Sequence, residues 1–183
     1  MPFQEVEKQL KEFNFCFSVV CKTNQRELAM ADADLTQTEA DRLINMDKYP
    51  LEANDHRYTF PEADGRRLEI PFTSADRKED FILNFCRKKV ILEKRNHVIR
   101  AKKTILLVRL DVDGPPHLNP DGNRLEGTHI HIYREGFGDR WAFPVPEDKF
   151  SKLSDPLTTL EDFMRYCNIR VIPFIDRDLL SCL

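Results

Sequence analysis

Residues 127–146 read GTHIHIYREGFGDRWAFPVP, and the fold turns on how this stretch pairs with itself. Neighbouring side chains of a strand point to opposite faces. The segment therefore separates into His129, His131, Tyr133 and Glu135 on one face and Ile130, Ile132 and Arg134 on the other. Gly136-Phe137-Gly138-Asp139 supplies turn chemistry, and residues 140–145 return as a second strand. A register opposing 135 to 140 and 131 to 144 sets Ile132 against Phe143 and Ile130 against Val145. Trp141 then falls near Arg134, and Glu135 faces Arg140 as a cross-strand ion pair. One face of this hairpin is core, and the other carries groups that exchange protons.

Upstream, residues 111–126 form a long connection containing Gly114-Pro115-Pro116-His117 and Asn119-Pro120-Asp121-Gly122. The second motif is a turn, with proline setting φ and glycine free to take a positive one. The two prolines of the first stiffen the approach to His117. Further back, Leu68, Ile70 and Phe72 alternate with Arg67, Glu69 and Pro71, an edge-strand pattern because Pro71 has no N–H to give. Apolar runs at 81–85 and 90–92 read as a hairpin around Arg87-Lys88, and 97–111 as one strand or two with a break near Lys102.

Two helices flank this succession of strands. Thr36-Gln37-Thr38-Glu39 fits a capping box, with Leu35 and Ala40 placed as a staple, and the helix buries Leu43 and Ile44 before ending ahead of Pro50. The second begins at Asp155-Pro156 or at a capping box from Thr158 to Glu161, and its buried stripe is Leu160, Phe163, Met164 and Cys167. The expected architecture is a single α+β domain over residues 35–183, an antiparallel sheet packed by helices near 35–48 and 158–167. Residues 1–34 form an N-terminal extension and linker. Phe3, Val6, Leu10 and Phe13 follow helical spacing there, after which Phe13, Phe15, Phe17 and Val19 alternate. A strand-like piece at 171–175 closes the chain.

The 183 residues carry 32% charged and 41% hydrophobic side chains at a net charge of −3, which excludes wholesale disorder and any global basic signature. Five cysteines without C-x-x-C or metal-ligand spacing read as free thiols of a reducing compartment. The apolar run at 13–21 is too short to span a bilayer. A cytoplasmic protein with no membrane partner is expected. The exception to the charge balance is local. Arg87, Lys88, Lys89, Lys94, Arg95, Arg100, Lys102 and Lys103 stand against one acid, Glu93, for a local charge of +7. Such a segment suits tracking of a phosphate backbone or protection of a sheet edge by lysines.

An ionisable strand face beside a basic segment points first to metal-independent cleavage of RNA. His129 and His131 would be the acid–base pair, with His117, Tyr133 and Arg134 in support and no cofactor or metal required. A non-catalytic binding protein, acting as an antitoxin-like or anti-defence inhibitor or as a nucleic-acid-binding accessory, is the alternative. The third reading is a metal-dependent hydrolase, since histidines at i and i+2 can share one ion with His117 or Glu135 as third ligand. His56 stands alone in a polar loop and receives no role.

The stretches LTQTEAD at 35–41, PPHLNPDG at 115–122, HIHIYREG at 129–136 and LEDFMRY at 160–166 together resemble a family of small, functionally uncharacterised bacterial proteins. The resemblance covers roughly 35–175 and implies a natural start near Met30, with 1–29 as an extension. The Pro-His and His-x-His elements are more distantly similar to small toxins of toxin–antitoxin modules. That likeness implies a toxin-like or defence-associated endoribonuclease with RNA as substrate and a cognate antitoxin as protein partner, and it carries no catalytic assignment.

Overall fold

The computed structural model describes residues 35–52, 57–61, 67–87 and 94–177, and the readings made for 1–34, His56, Lys88, Lys89, 90–92 and the side chain of Arg87 lie outside them. Two helices and eleven strands make up these residues. The helices are α1 (Gln37–Asn45) and α2 (Pro156–Tyr166). The strands are β1 (Lys48–Pro50), β2 (Tyr58–Phe60), β3 (Arg67–Ser74), β4 (Asp80–Arg87), β5 (Arg95–Ala101), β6 (Ile105–Val112), β7 (His117–Leu118), β8 (Arg124–Leu125), β9 (His129–Ile132), β10 (Ala142–Pro144) and β11 (Ile175–Arg177). Seven of them form one antiparallel sheet in the order β1-β3-β4-β5-β6-β9-β10. The architecture is α+β.

Alternation gives this sheet two unlike faces. Leu68, Ile70 and Phe72 of β3 pair with Phe85, Leu83 and Phe81 of β4, and Ile99, Val108, Leu110 and Ile130 continue the apolar layer, all buried. Ala40 and Leu43 of α1 and Leu160, Phe163 and Met164 of α2 belong to the same core. The opposite face carries a chain of polar groups. Asn84 Nδ2 donates to Glu69 at 2.8 Å, Arg100 donates to Asn84 Oδ1, and Asn96 Nδ2 donates to Asp111 at 2.9 Å.

Local chemistry sets the ends of these elements. Thr36 caps α1 by accepting from the Glu39 amide, while the Glu39 carboxylate pairs with Arg42. For α2 the cap is Asp155, whose carboxylate accepts from the Leu157 and Thr158 amides, with Pro156 in the first turn where its missing N–H costs nothing. Asp155→Ala should lower stability by about 1 kcal/mol in urea unfolding. The break near Lys102 is a turn in which Lys102 and Lys103 take positive φ values of 49° and 69°. Asn168, with φ 60°, ends the second helix.

Four expectations are corrected. β3 is not the edge, because β1 pairs beyond it. Pro71 is accommodated since its ladder groups face the side where β1 stops, and only its carbonyl is used, by the Leu51 amide at 3.1 Å. The β9–β10 register opposes His131 to Ala142 and Ile130 to Phe143, two residues from the expected one, which preserves the faces because the side-chain period is two. Glu135 does not pair with Arg140. Its carboxylate accepts from the Gln37 amide at the start of α1 at 2.8 Å, where the helix dipole favours an anion, while Arg140 donates to the carbonyls of Phe137 and Gly136. Of the expected strand at 171–175 only Ile175 is in a strand, the first residue of β11, which pairs in parallel with β2.

Candidate metal centre

His129 and His131 sit on β9 with one residue between them, so both project onto the polar face of the sheet. Their cross-strand neighbours on β6 are Asp111 and Arg109. His117 arrives from above. The loop holding it is fastened to the edge strand by Asn119, whose side-chain amide imitates a strand. Its Nδ2 donates to the Ala142 carbonyl and its Oδ1 accepts from the Ala142 amide, each at 2.9 Å. Gly114 lets the same loop pass close to the site, since a Cβ there would lie 3.4 Å from His129 Cε1 and 3.2 Å from Asp111 Cβ.

The three imidazole centroids lie 4.6–5.5 Å apart. Each ring offers a ligand atom within 4.8 Å of those of the other two. Each ring also has one nitrogen against a backbone carbonyl: His117 Nε2 at 2.9 Å from Arg140 O, His129 Nδ1 at 2.9 Å from Gly127 O, and His131 Nδ1 at 2.8 Å from Asp139 O. A carbonyl only accepts, so these nitrogens carry the protons. The tautomers are thereby set, and His117 Nδ1, His129 Nε2 and His131 Nε2 keep lone pairs. Carbonyl bonds to the far nitrogen are the usual outer support of metal-bound histidines.

The surroundings of His129 favour its neutral form. Burial lowers the pKa of His129 below the ordinary imidazole value, and the neighbouring His131 lowers it further. Asp111 Oδ2 lies 3.7 Å from His129 Nε2 and 3.4 Å from His131 Nε2. Burial pushes the Asp111 carboxyl up, but its polar surroundings, His131, the charge of Arg109 and the bond from Asn96, together outweigh it and hold it below the ordinary carboxylate value. Arg109 bridges the cluster, bonding Asp111 from Nε at 3.2 Å, Asp139 from Nη1 and His131 Nε2 from Nη2 at 3.0 Å.

The structure thus brings together His117, His129 and His131 and adds Asp111, Arg109 and Asp139. It does not bring in Tyr133, which is 3% exposed in the core and donates to the Leu35 carbonyl at 3.0 Å. The reason is local. Regular pairing of β9 stops at Ile132, and the turn closes through Arg134 and Gly138 amides bonded to each other's carbonyls, so period-two alternation ends one residue before the tyrosine. Arg134 lies instead over the Trp141 and Phe143 rings.

The basic segment is not one continuous ridge among the described residues. Arg95 is buried and donates to the Leu153 carbonyl, so it cannot serve a phosphate. Arg100 is held by Asn84 on the polar face, while Lys102 lies 3.9 Å from Glu39 and Lys103 is exposed, both in the turn at the far end of β5 from Lys94. Asp111 and Arg109 are the site residues that sequence reasoning missed. Their signal is the interruption of the apolar run ILLVRLDV by polar residues at alternate positions, the same i, i+2 spacing as the histidines.

Fold and site together define an α+β protein with a three-histidine cluster on the polar face of an antiparallel sheet, His129 and His131 buried and His117 half-buried. The chain belongs to a family of unknown function, DUF6978, which it matches over residues 35–169. No curated protein and no solved structure matches it. Among the described residues no helix is long and apolar enough to cross a membrane.

Proposed function

We propose that this chain is a metal-dependent hydrolase whose divalent ion is held by His117, His129 and His131, with zinc the best match to three imidazoles and an open position. The observation that carries the reading is the set of three clustered rings, each with one nitrogen tied to a backbone carbonyl and the other left as a lone pair. A bound ion of this kind would supply a water acidic near pH 7. Asp111 is close enough to the Nε2 atoms of His129 and His131 to act as the base for that water or as a fourth ligand. Arg109 offers a cation to the negative charge that develops when an ester is attacked.

Titration of the metal-stripped full chain with zinc should give one site per chain, and a hundredfold excess over the dissociation constant should raise unfolding stability by about 2.7 kcal/mol. His117→Ala or His131→Ala should weaken binding by roughly 100-fold or more at matched folding. Hydrolysis of model esters should stop with chelator and return with zinc. An unsaturable titration, or activity indifferent to chelator, would rule the reading out.

One observation favours the metal-free alternative. Arg109 Nη2 donates to the His131 nitrogen that an ion would need, leaving an acid–base pair with a cation beside it, the equipment for cleaving RNA through its own 2′-hydroxyl. Under that reading, RNA cleavage persists in chelator and is lost in both His129→Ala and His131→Ala. A toxin-like or defence-associated role would add growth arrest on expression and capture of a neutralising partner.

A further inference from the structure

The turn that joins β9 to β10 carries an alternation of cations and aromatic rings that the histidine chemistry does not use. Arg134 Cζ lies 4.7 Å from the centre of the Trp141 ring and 5.3 Å from that of Phe143. Trp141 meets Phe137 edge to face, with centroids 5.9 Å apart and planes at 84°. Arg140 Cζ lies 5.7 Å from the Phe137 ring. Phe137 is 41% exposed, and both arginines are exposed. Neither guanidinium has a carboxylate partner among the described residues, and Arg140 donates only to the Gly136 and Phe137 carbonyls.

This surface is continuous with the candidate centre through the backbone of the same turn. The Arg140 carbonyl accepts from His117, the Asp139 carbonyl accepts from His131, and the Asp139 carboxylate holds Arg109. A ligand lying on Phe137 and Arg140 therefore lies next to the residues that orient two of the three histidines.

One exposed ring, Phe137, backed by the half-buried Trp141 and flanked by two exposed guanidiniums without carboxylate partners, matches a ligand that presents a flat aromatic face and repeated negative charge. A base fits the Phe137 ring, and phosphodiesters fit the arginines. An acidic peptide would satisfy the cations and leave Phe137 in water. A duplex keeps its bases stacked on one another and offers no free face. We propose that the turn Arg134–Trp141 is a stacking platform for single-stranded nucleic acid, which it holds as the substrate of the adjacent centre. The substrate assignment rests on the hydrolase reading above. In that reaction the water oxygen bonds to phosphorus, one P–O ester bond breaks, and the water's proton passes to the departing sugar oxygen. A phosphomonoester and a hydroxyl result.

Trp141 is the chain's one tryptophan and so reports directly on the platform. The metal-free full chain should be titrated with oligouridylate and oligothymidylate of about 12 nucleotides, and with a blunt duplex of the same length. Saturable quenching of Trp141 by either single strand, weakened by salt and absent with the duplex, is expected. Phe137→Ala should weaken binding by about 5- to 100-fold. Arg140→Gln, which removes an exposed cation together with its bonds to the Gly136 and Phe137 carbonyls, should weaken it and flatten the salt dependence, whereas Arg165→Gln, an arginine of α2 paired with Glu161, should do neither. No quenching, equal binding of the duplex, or unchanged affinity in both platform variants would overturn the proposal. Because binding is read without metal, such a failure leaves the zinc site standing. Loss of the zinc site with oligonucleotide binding intact would remove the hydrolase reading alone and, with it, the assignment of the bound strand as substrate.

Discussion

Acidification from pH 7 to about pH 4 should destabilise the domain by about 3 kcal/mol through one residue, His97. This imidazole is fully buried on the core face, between the Phe85 ring at 5.0 Å and the Phe163 ring at 5.6 Å. Burial pulls its pKa from 6.5 down to about 3, with the nearby Arg95 charge acting in the same direction. The folded state therefore keeps His97 neutral while the unfolded chain takes up a proton below pH 6.5. Its contribution is fully present above 6.5 and is lost as pH falls toward about 3, each pH unit removing about 1.4 kcal/mol. Against a total of about 5–15 kcal/mol for a typical domain, that is a large fraction. Urea unfolding of the parent and of His97→Leu across this range checks it. The variant's curve should be flatter by that amount, and parallel curves would remove His97 as the cause.

Lys48→Met should cost about 1–3 kcal/mol, although it keeps the length and much of the bulk of the side chain. Lys48 is wholly buried, and its ammonium donates to three carbonyls: Ile44 at 3.0 Å, Met46 at 2.8 Å and Cys167 at 3.0 Å. These belong to the C-terminal ends of both helices, where unpaired carbonyls and the negative end of the dipole favour a cation. The amine also lies 4.8 Å from the centre of the Phe81 ring. Burial brings its pKa down to about 8, so it remains protonated at pH 7. Methionine would leave three acceptors without this donor. A loss below about 1 kcal/mol in urea unfolding would show that the carbonyls find other partners.

Neither residue stood out in the sequence. His97 sits in a strand between two basic residues, and Lys48 follows a helix in a polar run that ends in Pro50. A single lysine in such a run reads as solvated because nothing local says that two helix ends will converge on it. The helices themselves were legible, since caps and periodic apolar residues act within a turn or two. The strand partner of residues 81–85 was not: the reading gave 90–92, which lie outside the described residues, whereas β4 pairs with β5. Tyr133 was misassigned because the strand ended one residue early, and a strand's end depends on its neighbour, here Leu107 of β6, whose carbonyl takes the Tyr133 amide.

The sequence by itself determined the α+β class, the two helices, the hairpin and the pairing of His129 with His131 on one face, because each depends on periodicity or on residues close in the chain. It also placed His117 in a stiff loop without saying where the loop would land. Only the tertiary structure decided that Asn119 would fasten that loop to β10, that Asp111 and Arg109 would lie across from the histidines, and that Arg95 would turn into the core. Those outcomes are contacts between segments far apart in sequence, chosen by strand register and burial, and no local pattern encodes them.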